Sequence, residues 1–202
     1  MTVRALMLDV DGVLVHGRPA DGEHWQRGLR ADLGIDPDAL HAAFFAPYWD
    51  DIVVGRADLF DRLTPILSTL APHVTPTDLV AYWFAHDARV DTRLLPVLAE
   101  ARAAGVRVLL ATNQEHHRAR YLMETLDLRA HVDGMLASAA LGARKPYAAF
   151  FERAQQTAGF PADALLLVDD SLANVEAARE AGWQALHWTP ALTPETLHRA
   201  LA

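Results

Sequence analysis

The chain has 202 residues, enough for one ordinary domain or for a core with a smaller insertion. Its composition, 51% hydrophobic and 22% charged, is globular and not disordered. A formal net charge of -8 argues against non-specific nucleic-acid binding, and the absence of cysteine excludes disulfides, thiolate metal sites and a cysteine nucleophile. No stretch reaches the roughly 20 apolar residues of a membrane helix. The first apolar run ends at Asp9, too early for a signal peptide, so a cytoplasmic protein is expected.

In chain order, residues 3–10 read as a buried strand. Residues 16–90 carry no strand signal. Asp36-Pro37, Asp58 and Thr75-Pro76 mark helix starts there, ahead of apolar periodic runs. Trp25, Phe44, Phe45, Tyr48, Trp49 and Trp83 supply the aromatic core this segment would need. Further on, residues 92–104, 114–126, 146–158 and 171–181 read as helices, and residues 106–111, 164–168 and 184–188 as strands. Buried strands alternating with helices predict an α/β fold. Its core would be a Rossmann-like parallel sheet, residues 1–15 and 91–202, with helices on both faces and an inserted α-helical cap over 16–90.

Four motifs fall at predicted strand ends, where open α/β sheets place their ligands. Leu8-Asp9-Val10-Asp11-Gly12 sets two carboxylates beside a turn, and they repel unless a cation or a proton intervenes. Ala111-Thr112-Asn113-Gln114 offers a hydroxyl and free amides ahead of a helix, which suit an anion; Thr112 or Asn113 also suits a helix cap. Gly142-Ala143-Arg144-Lys145-Pro146 offers an ammonium beside a helix start, although a lone Lys-Pro is ordinarily a solvated loop. Leu167-Val168-Asp169-Asp170-Ser171 ends a strand in paired acids, oxygen ligands for a hard cation such as Mg²⁺ or a cap for the next helix. Two further residues sit near this set. His16 follows the first motif. Arg56, in Val54-Gly55-Arg56, lies just ahead of the helix start at Asp58. The neighbours His116 and His117 cannot share a helical face and read as solvated.

The order of these four motifs resembles that of the haloacid dehalogenase (HAD) superfamily over nearly the whole chain. Residues 112–182 are similar to its helical-cap subfamily, which includes bacterial sugar-phosphate phosphatases and the N-terminal phosphatase domain of soluble epoxide hydrolase. The resemblance implies a Mg²⁺-dependent phosphatase acting on small phosphomonoesters, as a monomer or homodimer, with no nucleic-acid or membrane partner. It further implies Asp9 as nucleophile and Asp11 as general acid and base. Thr112, Lys145 and the Asn113 amide would hold phosphate. The Asp9 carboxylate, the Asp11 carbonyl, Asp170 and, directly or through water, Asp169 would bind the metal. A basic cap residue contacts substrate in some relatives, which makes Arg56 a candidate; His16 is another from its place beside the first motif. A phosphomutase is the alternative. The acid at position 11 disfavours a haloacid dehalogenase, whose halide leaves without a proton, and the intact acids and lysine disfavour a catalytically idle binding protein.

Overall fold

The computed structural model describes residues 2–201. Five strands, β1 (Ala5–Leu8), β2 (Arg107–Thr112), β3 (Gly134–Ala137), β4 (Leu165–Asp169) and β5 (Gln184–His187), form one parallel sheet in the order β3-β2-β1-β4-β5. The two-residue period of β structure decides the layers. Leu6, Leu8, Val108, Leu110, Leu166 and Val168 face one core; Ala5, Met7, Leu109, Ala111, Leu165 and Leu167 face the other. Strands buried on both faces need continuous apolar runs, and β1 and β4 are such runs.

Helix α6 (Leu95–Ala103) and helix α11 (Pro194–Leu201) cover the first face. The second is covered by α9 (Ala148–Ala158) and α10 (Leu172–Glu180). The chain leaves β1 toward β2 and β3, then crosses back to β4 and β5 on the other side. That reversal puts the carboxyl ends of β1 and β4 side by side at the switch point.

Between β1 and α6 the chain is helical: α1 (Leu29–Leu33), α2 (Pro37–Leu40), α3 (Ala46–Ile52), α4 (Leu59–Leu70) and α5 (Pro76–Ala85). Side chains of Asp36, Asp58 and Thr75 cap α2, α4 and α5, as the sequence predicts. These helices enclose their own core, in which Trp25 stacks on Trp83 at 5.2 Å between ring centroids. Phe45, Tyr48 and Trp49 pack against it half-buried. Two linkers join this layer to the sheet. Val15 and Val90 form an antiparallel bridge, flanked by bonds from His16 N to Arg89 O (2.9 Å) and from Asp91 N to Leu14 O (2.8 Å).

Several expectations need correction. β3 is a fifth strand, missed because four residues beginning with Gly and half open at Gly134 and Met135 make no apolar run. Pro146 precedes α9 instead of opening it; the helix begins at Ala148. The helix expected over 114–126 starts at His116 as α7 (His116–Arg120), passes into a π-helical turn over Tyr121–Thr125, and is capped by Glu115.

Candidate active site

Register builds the site. Leu8 pairs with Val168, and the Asp9 amide donates to the Val168 carbonyl at 2.9 Å, so the next residues, Asp9 and Asp169, emerge together. Ligand oxygens of Asp9, Asp169 and Asp170 lie within 4.8 Å of one another. Lys145 arrives from the loop before α9. Its ammonium pairs with Asp9 Oδ1 at 3.0 Å and with Asp169 Oδ2.

Where a lone Lys-Pro would ordinarily leave its lysine in a solvated loop, Lys145 is one of the most enclosed side chains, 2% exposed. Its backbone is pinned as well. Asn113 accepts from the Lys145 amide at 2.9 Å and donates to the Lys145 carbonyl at 3.0 Å. Neither Thr112 nor Asn113 caps α7, because Glu115 does, accepting from the amides of His117 and Arg118. Thr112 is buried at the end of β2.

Asp169 is committed on both oxygens. Oδ2 meets Lys145, while Oδ1 accepts from the Ser171 amide and from Asn174 Nδ2, both at 2.9 Å. Asp170 is exposed. The turn of the first motif approaches Asp170 so closely that a Cβ on Gly12 would lie 2.1 Å from Asp170 Oδ2; Gly12 also holds φ +79°. Only glycine fits there. Asp11 is open to solvent over part of its surface while its carboxyl is enclosed within the site, where Oδ2 accepts from Gln114 Nε2 at 2.6 Å.

The electrostatics show surplus negative charge. Burial, helped by the charges of Asp169 and Asp11 and opposed by Lys145, pushes the Asp9 carboxyl up to about 7. Burial works against the Lys145 charge, but Asp9 and Asp169 outweigh it and hold the ammonium above its ordinary value. Burial and the nearby Asp169 raise Asp170, and burial and Asp87 raise Asp11. One ammonium among three clustered acids leaves a deficit that a divalent cation would fill, and the all-oxygen donor set suits a hard ion.

His16 lines a cleft of about 990 Å³ with Gly12, Asp170, Arg89 and Trp188, and gives one ring nitrogen to the Val13 carbonyl at 2.9 Å. Arg56 is not brought to the acids. It is exposed, and its guanidinium is taken up by Asp51 at 2.7 Å. His117 is not solvated: it meets Asp58 at 2.8 Å and lies edge-on to Phe60.

Sequence reading missed three residues at this level. Gln114 is buried against Asp11. Ser138 is fully buried and donates to the Val53 carbonyl at 2.5 Å, joining sheet to helical layer. Arg118, 2% exposed, donates to the carbonyls of Phe84 and Asp87. An Arg-rich helix start carried no signal that one of its cations would be enclosed.

The chain is similar to several known proteins. A sesquiterpene phosphatase of Aspergillus oryzae is 36% identical over 197 residues, 95% of this chain and 92% of that protein. A phosphoglycolate phosphatase of Rhodospirillum rubrum is 29% identical, covering 89% of this chain and 76% of its own. A HAD family enzyme of Bacteroides thetaiotaomicron, solved with magnesium and inorganic phosphate, superposes with a TM-score of 0.80 at 17% identity, over 96% of this chain and 98% of that one. The family model described as haloacid dehalogenase-like hydrolase matches residues 3–182, and with its sheet order and strand-end acids the chain belongs to that family of hydrolases.

Proposed function

We propose that this protein is a Mg²⁺-dependent phosphatase that hydrolyses small phosphomonoesters through an aspartyl phosphate on Asp9. The observation that carries the reading is the Asp9 carboxylate at the sheet switch point, paired with Lys145, clustered with Asp169 and Asp170, and followed two residues on by Asp11.

The Asp9 carboxylate, the Asp11 carbonyl and Asp170 would hold the metal directly. Asp169, with both oxygens bonded, would act through water or by orienting Lys145. Bound there, Mg²⁺ supplies charge neutralisation between Asp9 and the phosphoryl oxygens. An Asp9 oxygen attacks phosphorus as the ester P–O bond breaks. Asp11 gives its proton to the departing oxygen, so the alcohol leaves neutral and Asp11 becomes a carboxylate. Water then attacks the aspartyl phosphate, Asp11 takes its proton back, and inorganic phosphate and free Asp9 result. Lys145, the Thr112 hydroxyl and the Asn113 amide hold the phosphoryl group in both steps. Residues 16–90 act as a cap domain that closes over this chemistry and excludes water.

A phosphate-release screen tests the reading. The panel should include sugar phosphates, phosphoglycolate and a sesquiterpenyl monophosphate, each with Mg²⁺ and with a chelator. Release that needs Mg²⁺ and disappears in Asp9→Asn is expected. Metal-independent release that survives in Asp9→Asn would sink the proposal, and an isomerised sugar phosphate with no free phosphate would replace it by a mutase.

A further inference from the structure

Gln114 has a place in this site that the four motifs do not assign. It lies two residues past the end of β2, 103 residues from Asp11 in sequence, 4% exposed, with its carboxamide nitrogen 2.6 Å from Asp11 Oδ2. Among the described residues the nitrogen's only other hydrogen-bond partner is Thr112 Oγ1, at 3.5 Å, the limit of a hydrogen bond. The backbone behind it is fixed: the Gln114 carbonyl accepts from the Ala139 amide and faces the Ser138 hydroxyl, each at 3.2 Å. Ser138 in turn reaches the Val53 carbonyl in the helical layer. A long flexible side chain is thus held at both ends, and what it holds is the exposed acid of the first motif.

We propose that Gln114 is the positioning residue for Asp11, aiming its carboxyl at the ester oxygen and setting which of its oxygens exchanges the proton. An amide N–H gives Asp11 Oδ2 a hydrogen bond to accept, so the transferable proton belongs on Oδ1. An unanchored aspartate open to solvent samples several rotamers, and only one presents the proton in line with the departing alkoxide. Freezing that rotamer before substrate arrives lowers the barrier of the proton-transfer step and leaves substrate binding untouched. The proposal rests on the phosphatase reading and on Asp11 as its acid.

The test uses the Mg²⁺-loaded full chain, rapid mixing, and two esters: an alkyl phosphate, which needs the proton, and an aryl phosphate of an acidic phenol, which barely does. Gln114→Met keeps length and burial and removes the donor. Its phosphorylation rate with the alkyl ester should fall about 10²-fold, the scale of a misplaced catalytic group. With the aryl ester the rate should be nearly unchanged, and a burst of about one equivalent of phenol should persist. That burst also shows that the variant is folded and that Asp9 is in place. The substrate concentration that half-saturates the phosphorylation rate should stay at its wild-type value for both esters.

Asp11→Asn is run beside it and should show the same alkyl-selective loss in stronger form. Equal losses with both esters, or none with either, while Asp11→Asn behaves as expected, would overturn the role of Gln114 and leave the phosphatase reading intact. Wild-type rates in Asp11→Asn would overturn Asp11 as the acid and the role of Gln114 with it, while release that still needs Asp9 would keep the phosphatase reading.

Discussion

At the carboxyl ends of β1 and β4, three acids and one ammonium pack with scarcely any apolar atoms between their charged groups. In the helical layer over residues 25–85 the interior is Trp25, Phe44, Trp83, Phe84 and a ring of leucines, with almost no buried charge. The first region is positioned by strand register and costs stability wherever its charges are uncompensated. The second is held by apolar burial, about 1.5–3 kcal/mol for each large side chain. A handful of polar contacts join them: Ser138 to Val53, Arg144 to Asp50 at 3.0 Å, His117 to Asp58, and Arg118 to the end of α5. A close backbone approach adds to these, since a Cβ on Gly55 would lie 2.6 Å from the Ala139 carbonyl. Charge compensation thus holds the first region and apolar burial the second, and this contrast can be attacked from either side.

The sharpest attack is Lys145→Met. It leaves Asp9 and Asp169 buried without their cation, and breaking such a pair costs about 3–5 kcal/mol. Both activity and chemical-denaturation stability should collapse in the metal-free protein. Added Mg²⁺ should return part of the stability and little of the turnover. A variant as stable as wild type without metal would show that the acids are not compensated by Lys145.

Trp83→Ala attacks the other region. Removing a core indole costs about 3–5 kcal/mol. The loss should appear in thermal unfolding, while Mg²⁺ titration at a temperature where the variant is folded stays close to wild type. A large loss of Mg²⁺ affinity there would mean that the helical layer shapes the acids directly.

The smallest effect belongs to Tyr82, whose hydroxyl donates to Asp32 at 2.7 Å inside the helical layer. Burial, with that bond and the Asp32 charge, raises the phenol from 10.0 to about 12. The folded state therefore keeps a proton that the unfolded chain gives up first, so the contribution is complete below pH 10 and is lost as pH climbs to 12. Urea unfolding of wild type should weaken in that window relative to Tyr82→Phe. Parallel curves from pH 9 to 12 would remove the bond from the account.

The strand-end motifs were legible because alternating burial and turn chemistry are local: β1 and β4 announce themselves within a few residues, and Asp9, Asp11, Asp169 and Asp170 follow directly. The helix starts at Asp36, Asp58 and Thr75 were legible for the same reason, since a cap acts two or three residues away. β3 was not, because an edge strand half open to solvent has no apolar run to show.

Sequence by itself thus determined the fold class, the four loops that meet and the carboxylates that end the strands. Tertiary structure alone decided that Lys145 is buried between Asp9 and Asp169, 24 residues from the latter, and that Gln114 reaches Asp11 across 103. It likewise decided that Glu115 and not Thr112 caps α7, and that Asp51 takes Arg56 away from the acids. Local hydrogen bonding and side-chain periodicity are written within a turn of chain, whereas burial of a charge depends on which distant strand the sheet order sets beside it.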